Sequence, residues 1–246
     1  SHSTGSRTEP KSDDVELPEG MEWEALTQDQ RWHYRNRDRN TRRTLERRRE
    51  LRQWLYDYKE ESEGCTRCGE SDPVCLDFHH RDAADKEMSV HKMVPYGYSK
   101  ADIRAEIEKC ELLCSNCHWK KHHPTLSGAD RLGYAIDAGT TSDGPVTRDN
   151  LPDQSATSLT KAERLRAWTY AYKQECGCQR CGEDDPVCLQ FHHVGDDKEA
   201  GVGSMIADSY PAGDVLAEIE KCVILCANCH RREHHPAVGS DGSDRI

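Results

Sequence analysis

Cysteines in Cys-x-x-Cys pairs are the residues of this chain whose type and spacing indicate chemistry most directly. Two such pairs can close a tetrahedral thiolate site, because each pair turns the chain so that two sulfurs face one ion. Each half of the chain carries two pairs, which predicts two structural zinc sites. The ligands are Cys65, Cys68, Cys114 and Cys117 in the first half, and Cys178, Cys181, Cys226 and Cys229 in the second. The alternative, free or disulfide-bonded cysteines, leaves the identical internal spacing of the two sets unexplained.

Histidines indicate a second kind of metal site. His118 and His122 lie four residues apart, so on a helix both rings project from one face, and His79 from a strand supplies a third ligand. Three protein ligands leave a position of the cation open for phosphate and water. Neighbouring residues of a strand point to opposite sides, so His80 stays unligated and is the candidate general base. The matching residues of the second half are His192, His193, His230 and His234. The alternative is that these histidines complete a structural site or cap the fold.

An internal repeat organises the chain. The segment from Cys65 to His80 recurs 113 residues later, and the segment from Glu106 to His118 recurs 112 residues later, which indicates a tandem duplication. Residues between the copies are rich in Gly, Ser, Thr, Asp and Pro, so we expect a flexible linker that lets the two units move. The predicted divisions are a disordered tail 1–20, the arginine-rich helix with the first unit 21–124, the linker 125–158, the second unit 159–236 and a disordered tail 237–246.

Short elements must position these ligands. Each unit is predicted to begin with a helix, at about 41–61 and 159–174, followed by the first cysteine pair. A short strand comes next, from Val74 to His79 in the first unit, and ends in the His pair. In the first unit a helix over about 100–109, a strand over 112–114 and a last helical turn follow. The predicted fold class is small α+β, with two tandem zinc-stabilised units.

Composition limits the class of protein. The chain has 246 residues, of which 35% are hydrophobic and 32% charged, with a mean hydropathy of -0.94. No apolar stretch approaches the roughly 20 residues of a membrane span, and no secretory signal is recognisable. Thirteen cysteines, an odd number, arranged in Cys-x-x-Cys pairs are typical of a reducing compartment. We therefore expect an intracellular, cytoplasmic protein that does not associate with a membrane and has no evident obligate protein partner.

Positive charge is concentrated in one segment. The net charge of the chain is -11, yet the stretch from Arg31 to Arg52 carries ten arginines and a net charge of +7. A nearly single-signed run in an acidic chain favours contact with a phosphate backbone over an ordinary solvated helix. Further cations flank the predicted metal-binding helices. The candidate nucleic-acid contacts are Arg42, Arg43, Arg47, Arg48, Arg49, Arg52, Lys120, Lys121, Arg231 and Arg232.

The order Cys-x-x-Cys, His-His, Leu-Cys-x-Asn-Cys-His and x-x-x-His resembles the zinc-bearing branch of the HNH endonucleases, over residues 51–124 and 165–236. The resemblance implies a ββα-metal fold, bases at His80 and His193, and a divalent ion, Mg, Mn, Ni or Zn, on each histidine trio. The chain departs from the family's pattern at its central Asn, where Lys109 and Lys221 stand. Asn116 and Asn228 are candidates to compensate.

The resemblance implies metal-dependent hydrolysis of DNA phosphodiester bonds, with RNA as an open alternative. Two units suggest an intrachain pseudo-dimer that nicks DNA or cuts both strands. A catalytically silent, zinc-dependent DNA-binding protein is the competing function, but every base and ligand histidine is present in both copies. A nucleobase deaminase would need His-x-Glu and Pro-Cys-x-x-Cys, and neither occurs. Two-Cys two-His fingers need a helix between their Cys and His pairs, whereas Cys117 and His118 are adjacent.

Overall fold

A computed structural model describes residues 15–123 and 160–235 of the chain. These ranges hold two units of mixed α+β structure, each with a small antiparallel sheet, as the sequence predicts. The predicted linker 125–158 and tail 237–246 lie outside the described residues, as does most of the tail 1–20. No helix in the described ranges is long and apolar enough to cross a membrane.

The first unit contains four α-helices and two strands in its described residues, and a short 3-10 helix, Trp23–Ala25, precedes them. In chain order they are α1 Gln28–Glu60, β1 Leu76–His80, α2 Val90–Tyr96, α3 Lys100–Glu108, β2 Cys110–Cys114 and α4 Ser115–His122. The second unit repeats this order. Its elements are α5 Lys161–Cys176, β3 Leu189–His193, α6 Val202–Ala207, α7 Ala212–Glu220, β4 Cys222–Cys226 and α8 Ala227–His234.

Helix α1 is longer than predicted, beginning at Gln28 rather than near residue 41. Thr27 and Gln30 form a capping box in which each side chain bonds the backbone N–H of the other residue. The cap satisfies the first free amides of the helix and so fixes its start upstream of the arginine-rich stretch. The short helices α2 and α6 were absent from the prediction because six or seven residues are too few to show a helical period.

Each sheet pairs two strands that are distant in sequence. In the first unit β1 and β2 are antiparallel, with Leu76 opposite Cys114 and His80 opposite Cys110. The predicted strand start at Val74 is wrong by two residues, because the preceding residues form a turn in which the N–H of Leu76 donates to the carbonyl of Pro73. Strand β2 runs directly into α4, which packs across β1. The sheet and the helix therefore meet where the His pair ends β1.

The two units contact each other through matching residues, Asn116 on α4 and Asn228 on α8. The backbone N–H of each donates to the side-chain carbonyl of the other, at 3.2 Å in both directions, and both residues are buried. The thiols of Cys75 and Cys188 donate to the carbonyl oxygens of Asn228 and Asn116. The two units are therefore in contact in the described residues, and the two asparagines serve this interface rather than the loop after β1.

Ion pairs surround the asparagine contact. Lys120 bonds Glu183 at 3.0 Å, and Arg232 bonds both Glu70 and Asp72, at 2.6 and 2.7 Å. A further pair joins Arg231 to Asp77. Three of the cations predicted to touch nucleic acid thus have carboxylate partners in the opposite unit. Their charges stabilise the association of the two halves.

Candidate metal centres and catalytic cleft

Four cysteines converge in each unit, as predicted. The ligand atoms of Cys65, Cys68, Cys114 and Cys117 all lie within 4.8 Å of one another, and those of Cys178, Cys181, Cys226 and Cys229 do the same. The sulfur pairs Cys68–Cys114 and Cys181–Cys226 are each 3.6 Å apart. Zinc–sulfur bonds of 2.3 Å in a tetrahedron require roughly 3.8 Å between sulfurs. Both sets therefore fit structural zinc.

Hydrogen bonds from backbone amides lower the pKa of one thiol in each set, Cys65 and Cys178. Burial alone would raise the pKa of Cys65, but hydrogen bonds from the backbone lower it to about 7, and the same holds for Cys178. Burial and the nearby Cys114 sulfur instead raise the pKa of Cys117. Thiolates this close repel one another, so a cation is needed before all four can be charged together. This donor set fits a closed, tetrahedral zinc site.

Three histidines converge at a second place in each unit. The ligand nitrogens of His79, His118 and His122 lie within 4.8 Å of one another, as do those of His192, His230 and His234. His118 Nε2 and His122 Nε2 are 3.1 Å apart, close to the roughly 3.4 Å edge of a tetrahedron with 2.1 Å metal–nitrogen bonds. Strand β1 and helix α4 supply these side chains, and β3 and α8 supply the matching set. The structure thus brings together the three histidines that the sequence analysis grouped in each unit.

His79 in the first trio and His230 in the second each have a lowered pKa that favours the neutral form. Burial first, and then the charges of Lys121 and the other two histidines, lower the pKa of His79 to about 4. Burial, followed by His234 and His192, likewise lowers the pKa of His230 to about 4. A neutral imidazole offers a lone pair to a metal ion, whereas a protonated imidazole cannot. The lowered pKa values therefore leave the lone pairs of His79 and His230 available near neutral pH.

The neighbouring ring, His80, lies apart from the trio and bonds a carboxylate. His80 Nε2 is 2.7 Å from Glu106 Oε1, and the matching distance from His193 Nε2 to Glu218 Oε1 is 2.8 Å. Both glutamates are only 1% exposed. Burial alone would raise the pKa of Glu106, but hydrogen bonds from Lys109 and His80 lower it to about 2. The charged carboxylate therefore keeps the proton of His80 on Nε2.

Glu106 also organises the loop after β1. It accepts hydrogen bonds from the backbone N–H groups of Glu87 and Met88, at 2.9 and 3.3 Å. Lys109, which stands where the HNH pattern has Asn, donates to Glu106 at 2.6 Å and to the carbonyl of Asp85 at 3.1 Å. Lys221 makes the equivalent contacts in the second unit, with Glu218 and Asp197. A Lys–Glu pair thus holds this loop in both copies.

Sequence reasoning missed both glutamates, although they stand in the repeated segment Glu-Ile-Glu-Lys-Cys. A glutamate in a charged helix is usually solvent-exposed, so its type alone gave no indication of burial. The only feature of the sequence that singled out Glu106 and Glu218 was that they recur at an offset of 112. Several other residues of the segment recur in the same way, so the repeat could not identify the glutamates.

An open cleft of about 830 Å³ joins the trio and the base of the first unit. It is lined by His79, His80, His118 and His122, with Lys59, Lys121 and Arg231 among its cations. Lys121 pairs with Glu111 on β2. Asp77 contacts His118 and Arg231, and although burial alone would raise its pKa, the hydrogen bonds from these two residues lower it to about 2. The cleft therefore combines three candidate metal ligands with a positively charged rim.

The arginines of α1 divide into two groups. Arg47 donates to the carbonyls of Gly97 and Tyr98, and Arg48 donates to that of Pro95, so these two anchor α1 to the end of α2. The other predicted contacts on this helix are exposed. They are Arg42, Arg43, Arg49 and Arg52. Arg42, Arg49 and Arg52 share one face of the helix, at spacings of seven and three residues.

The chain was compared with protein-family models, with curated proteins and with solved structures, and no match was found in any of the three.

Proposed function

We propose that the chain is a metal-dependent endonuclease that hydrolyses phosphodiester bonds of DNA. The observation that supports this most directly is the same pairing in both units: three histidine nitrogens converge within 4.8 Å, and the adjacent histidine bonds a buried glutamate. A structural site would not need a fourth, separately oriented ring. The resemblance of the motifs to HNH endonucleases points to the same chemistry.

The donor set fits a divalent cation with an open position, which His79, His118 and His122 would hold in the first unit and His192, His230 and His234 in the second. Bound there, such an ion supplies positive charge that polarises the phosphate and stabilises the departing 3′-oxygen. Activating the water and attracting the phosphate are done by side chains of the protein. Cleavage leaves a 5′-phosphate and a 3′-hydroxyl.

His80 activates the attacking water. Because His80 Nε2–H donates a hydrogen bond to Glu106, the lone pair of His80 is on Nδ1, and Nδ1 takes the proton from water. Positive side chains at the rim, Lys59 and Lys121, attract the phosphate to the cleft. His193 and Glu218 perform the same steps in the second unit.

Glu106→Gln should slow cleavage by the first unit by roughly 10²-fold, the lower end of the usual contribution of a general base. The amide of Gln can donate to Nε2, which moves the ring proton to Nδ1 and blocks the accepting nitrogen. Plasmid cleavage is measured in a His193→Ala background, so that only the first unit acts. Glu108→Gln, an exposed glutamate two residues along α3, is the matched control and should cut at the parent rate. Equal rates for the two variants would contradict the role of Glu106.

The exposed arginines of α1 bind the DNA backbone in this proposal. Replacing Arg42, Arg43, Arg49 and Arg52 with Gln should lower the slope of log affinity against log salt by about 0.9 for each phosphate that an arginine no longer neutralises. Fluorescence anisotropy of a labelled duplex, over a series of salt concentrations, measures the slope. Arg67→Gln, which removes an exposed arginine of the first cysteine knuckle, serves as the control and should leave the slope unchanged. An unchanged slope in the fourfold variant would exclude α1 from binding.

The two units act as an intrachain pair. The asparagine contact and the ion pairs around it hold the units together, so each can address one strand of the same duplex. Supercoiled plasmid incubated with the zinc-loaded chain and Mg, Mn, Ni or Zn ions tests the proposal. Ion-dependent nicking or linearisation supports it. Binding without cleavage under every ion would favour the silent DNA-binding protein instead.

A further inference from the structure

One contact at the interface between the units reaches a candidate metal ligand. Arg231 on α8 donates to both carboxylate oxygens of Asp77 on β1, at 3.0 and 2.8 Å. Asp77 Oδ2 in turn lies 3.4 Å from His118 Nδ1. The other ring nitrogen of His118 faces His122 within the trio. A residue of the second unit is therefore connected to the histidine trio of the first unit through one carboxylate.

The second unit lacks the same arrangement. Gln190 occupies the register position of Asp77, since Asp77 pairs with Leu113 and Gln190 pairs with Leu225. Trp119 stands where the repeat has Arg231, and its ring stacks on His123 at 5.3 Å. In the described ranges 15–123 and 160–235, no carboxylate forms an ion pair with His230. The two trios thus have the same ligands and different supporting contacts.

We infer that Asp77 and Arg231 are positioning residues that strengthen metal binding by the first trio, so that the second unit completes the metal site of the first. The inference rests on the proposed function, because it takes the trios as cation sites. A carboxylate that accepts a hydrogen bond from one nitrogen of a ligand imidazole fixes its tautomer and orientation and makes the other nitrogen a better donor. Arg231 holds that carboxylate by two parallel hydrogen bonds, a geometry that defines its orientation.

Nickel binding to the zinc-loaded full chain, measured by isothermal titration calorimetry, tests the inference without any cleavage assay. The double substitution His230→Ala with His234→Ala leaves only the first trio, and His118→Ala with His122→Ala leaves only the second. On the first trio we expect Asp77→Asn to weaken Ni²⁺ binding about 10- to 100-fold. Arg231→Gln should weaken it less, and Arg231→Lys less again because the charge is retained. On the second trio Arg231→Gln should change the affinity less than about twofold, although Arg231 adjoins His230.

Glu183→Gln separates this effect from a general loosening of the interface. It removes the carboxylate bonded to Lys120 and does not reach Asp77, so the affinity of the first trio should be unchanged. The inference is overturned if Asp77→Asn leaves the affinity of the first trio unchanged, if Arg231→Gln weakens both trios alike, or if Glu183→Gln weakens the first trio as much. Zinc content and circular dichroism establish that each variant is folded. If neither trio of the parent chain binds nickel, the proposed function fails together with this inference. If the first trio binds nickel equally well in the parent chain and in Asp77→Asn, only the inference fails.

Discussion

The double substitution His80→Ala with His193→Ala is expected to reduce DNA cleavage by roughly 10²- to 10⁴-fold, the usual contribution of a general base. Each ring is oriented by a buried, charged glutamate and lies outside the trio, so removing it leaves the candidate metal ligands in place. Supercoiled plasmid, sampled over time and separated on agarose, measures nicked and linear products. Cleavage by the double variant at the parent rate would end the proposal that these rings act as bases.

The single substitutions carry further information because the units are held as a pair. If each unit cuts one strand, either single variant should give nicked plasmid while the parent chain gives linear product. His91→Ala is the matched control: His91 is an exposed residue lining the same cleft, outside both the trio and the Glu106 contact. It should cut like the parent. A similar loss in this variant would show that any alteration of the cleft lowers the rate.

The grouping of the candidate metal ligands could be predicted from the sequence because their chemistry restricts both type and spacing. A pair of cysteines separated by two residues has few other uses when it recurs in register, and His118 with His122 fits only a helix that presents both rings on one face. Both predictions depend on local spacing or on the repeat. The predicted helices and strands were right in kind, and their ends differed where a cap or a turn decides the boundary, as at Thr27 and Pro73.

The contacts that join distant parts of the chain could not be predicted in this way. Arg231 and Asp77 are 154 positions apart, and Lys120 and Glu183 are 63 apart. A local sequence pattern does not distinguish an arginine that binds phosphate from one that forms an ion pair with a carboxylate of the other unit. Glu106 belongs to the same class, since its role follows from burial against four donors that come from three separate segments.

Loss of one cysteine ligand is expected to have the largest effect on stability. Cys114→Ser should lower the zinc held by the cysteine sets from two ions to one per chain and unfold the first unit. Structural zinc contributes about 10–16 kcal/mol in small domains, which is comparable to or larger than the roughly 5–15 kcal/mol of net stability that most domains have. The buried hydrophobic clusters of the unit are small, which leaves little to replace the metal. Atomic emission measures the zinc, and far-UV circular dichroism with thermal melting measures the fold.

Cys176→Ser is the matched control, since Cys176 is exposed at the end of α5 and lies outside both four-cysteine sets. It should keep two zinc ions and the parent melting temperature. We expect different results for the two substitutions because Cys114 also has a structural role. It is the last residue of β2, and its sulfur accepts a hydrogen bond from the N–H of Cys117 and so caps α4. Helix α4 presents His118 and His122 to the trio and Asn116 to the second unit. Cys114→Ser should therefore abolish nickel binding at the first trio and separate the two units. If the variant still bound nickel there and the units stayed together, α4 would be held in place without zinc.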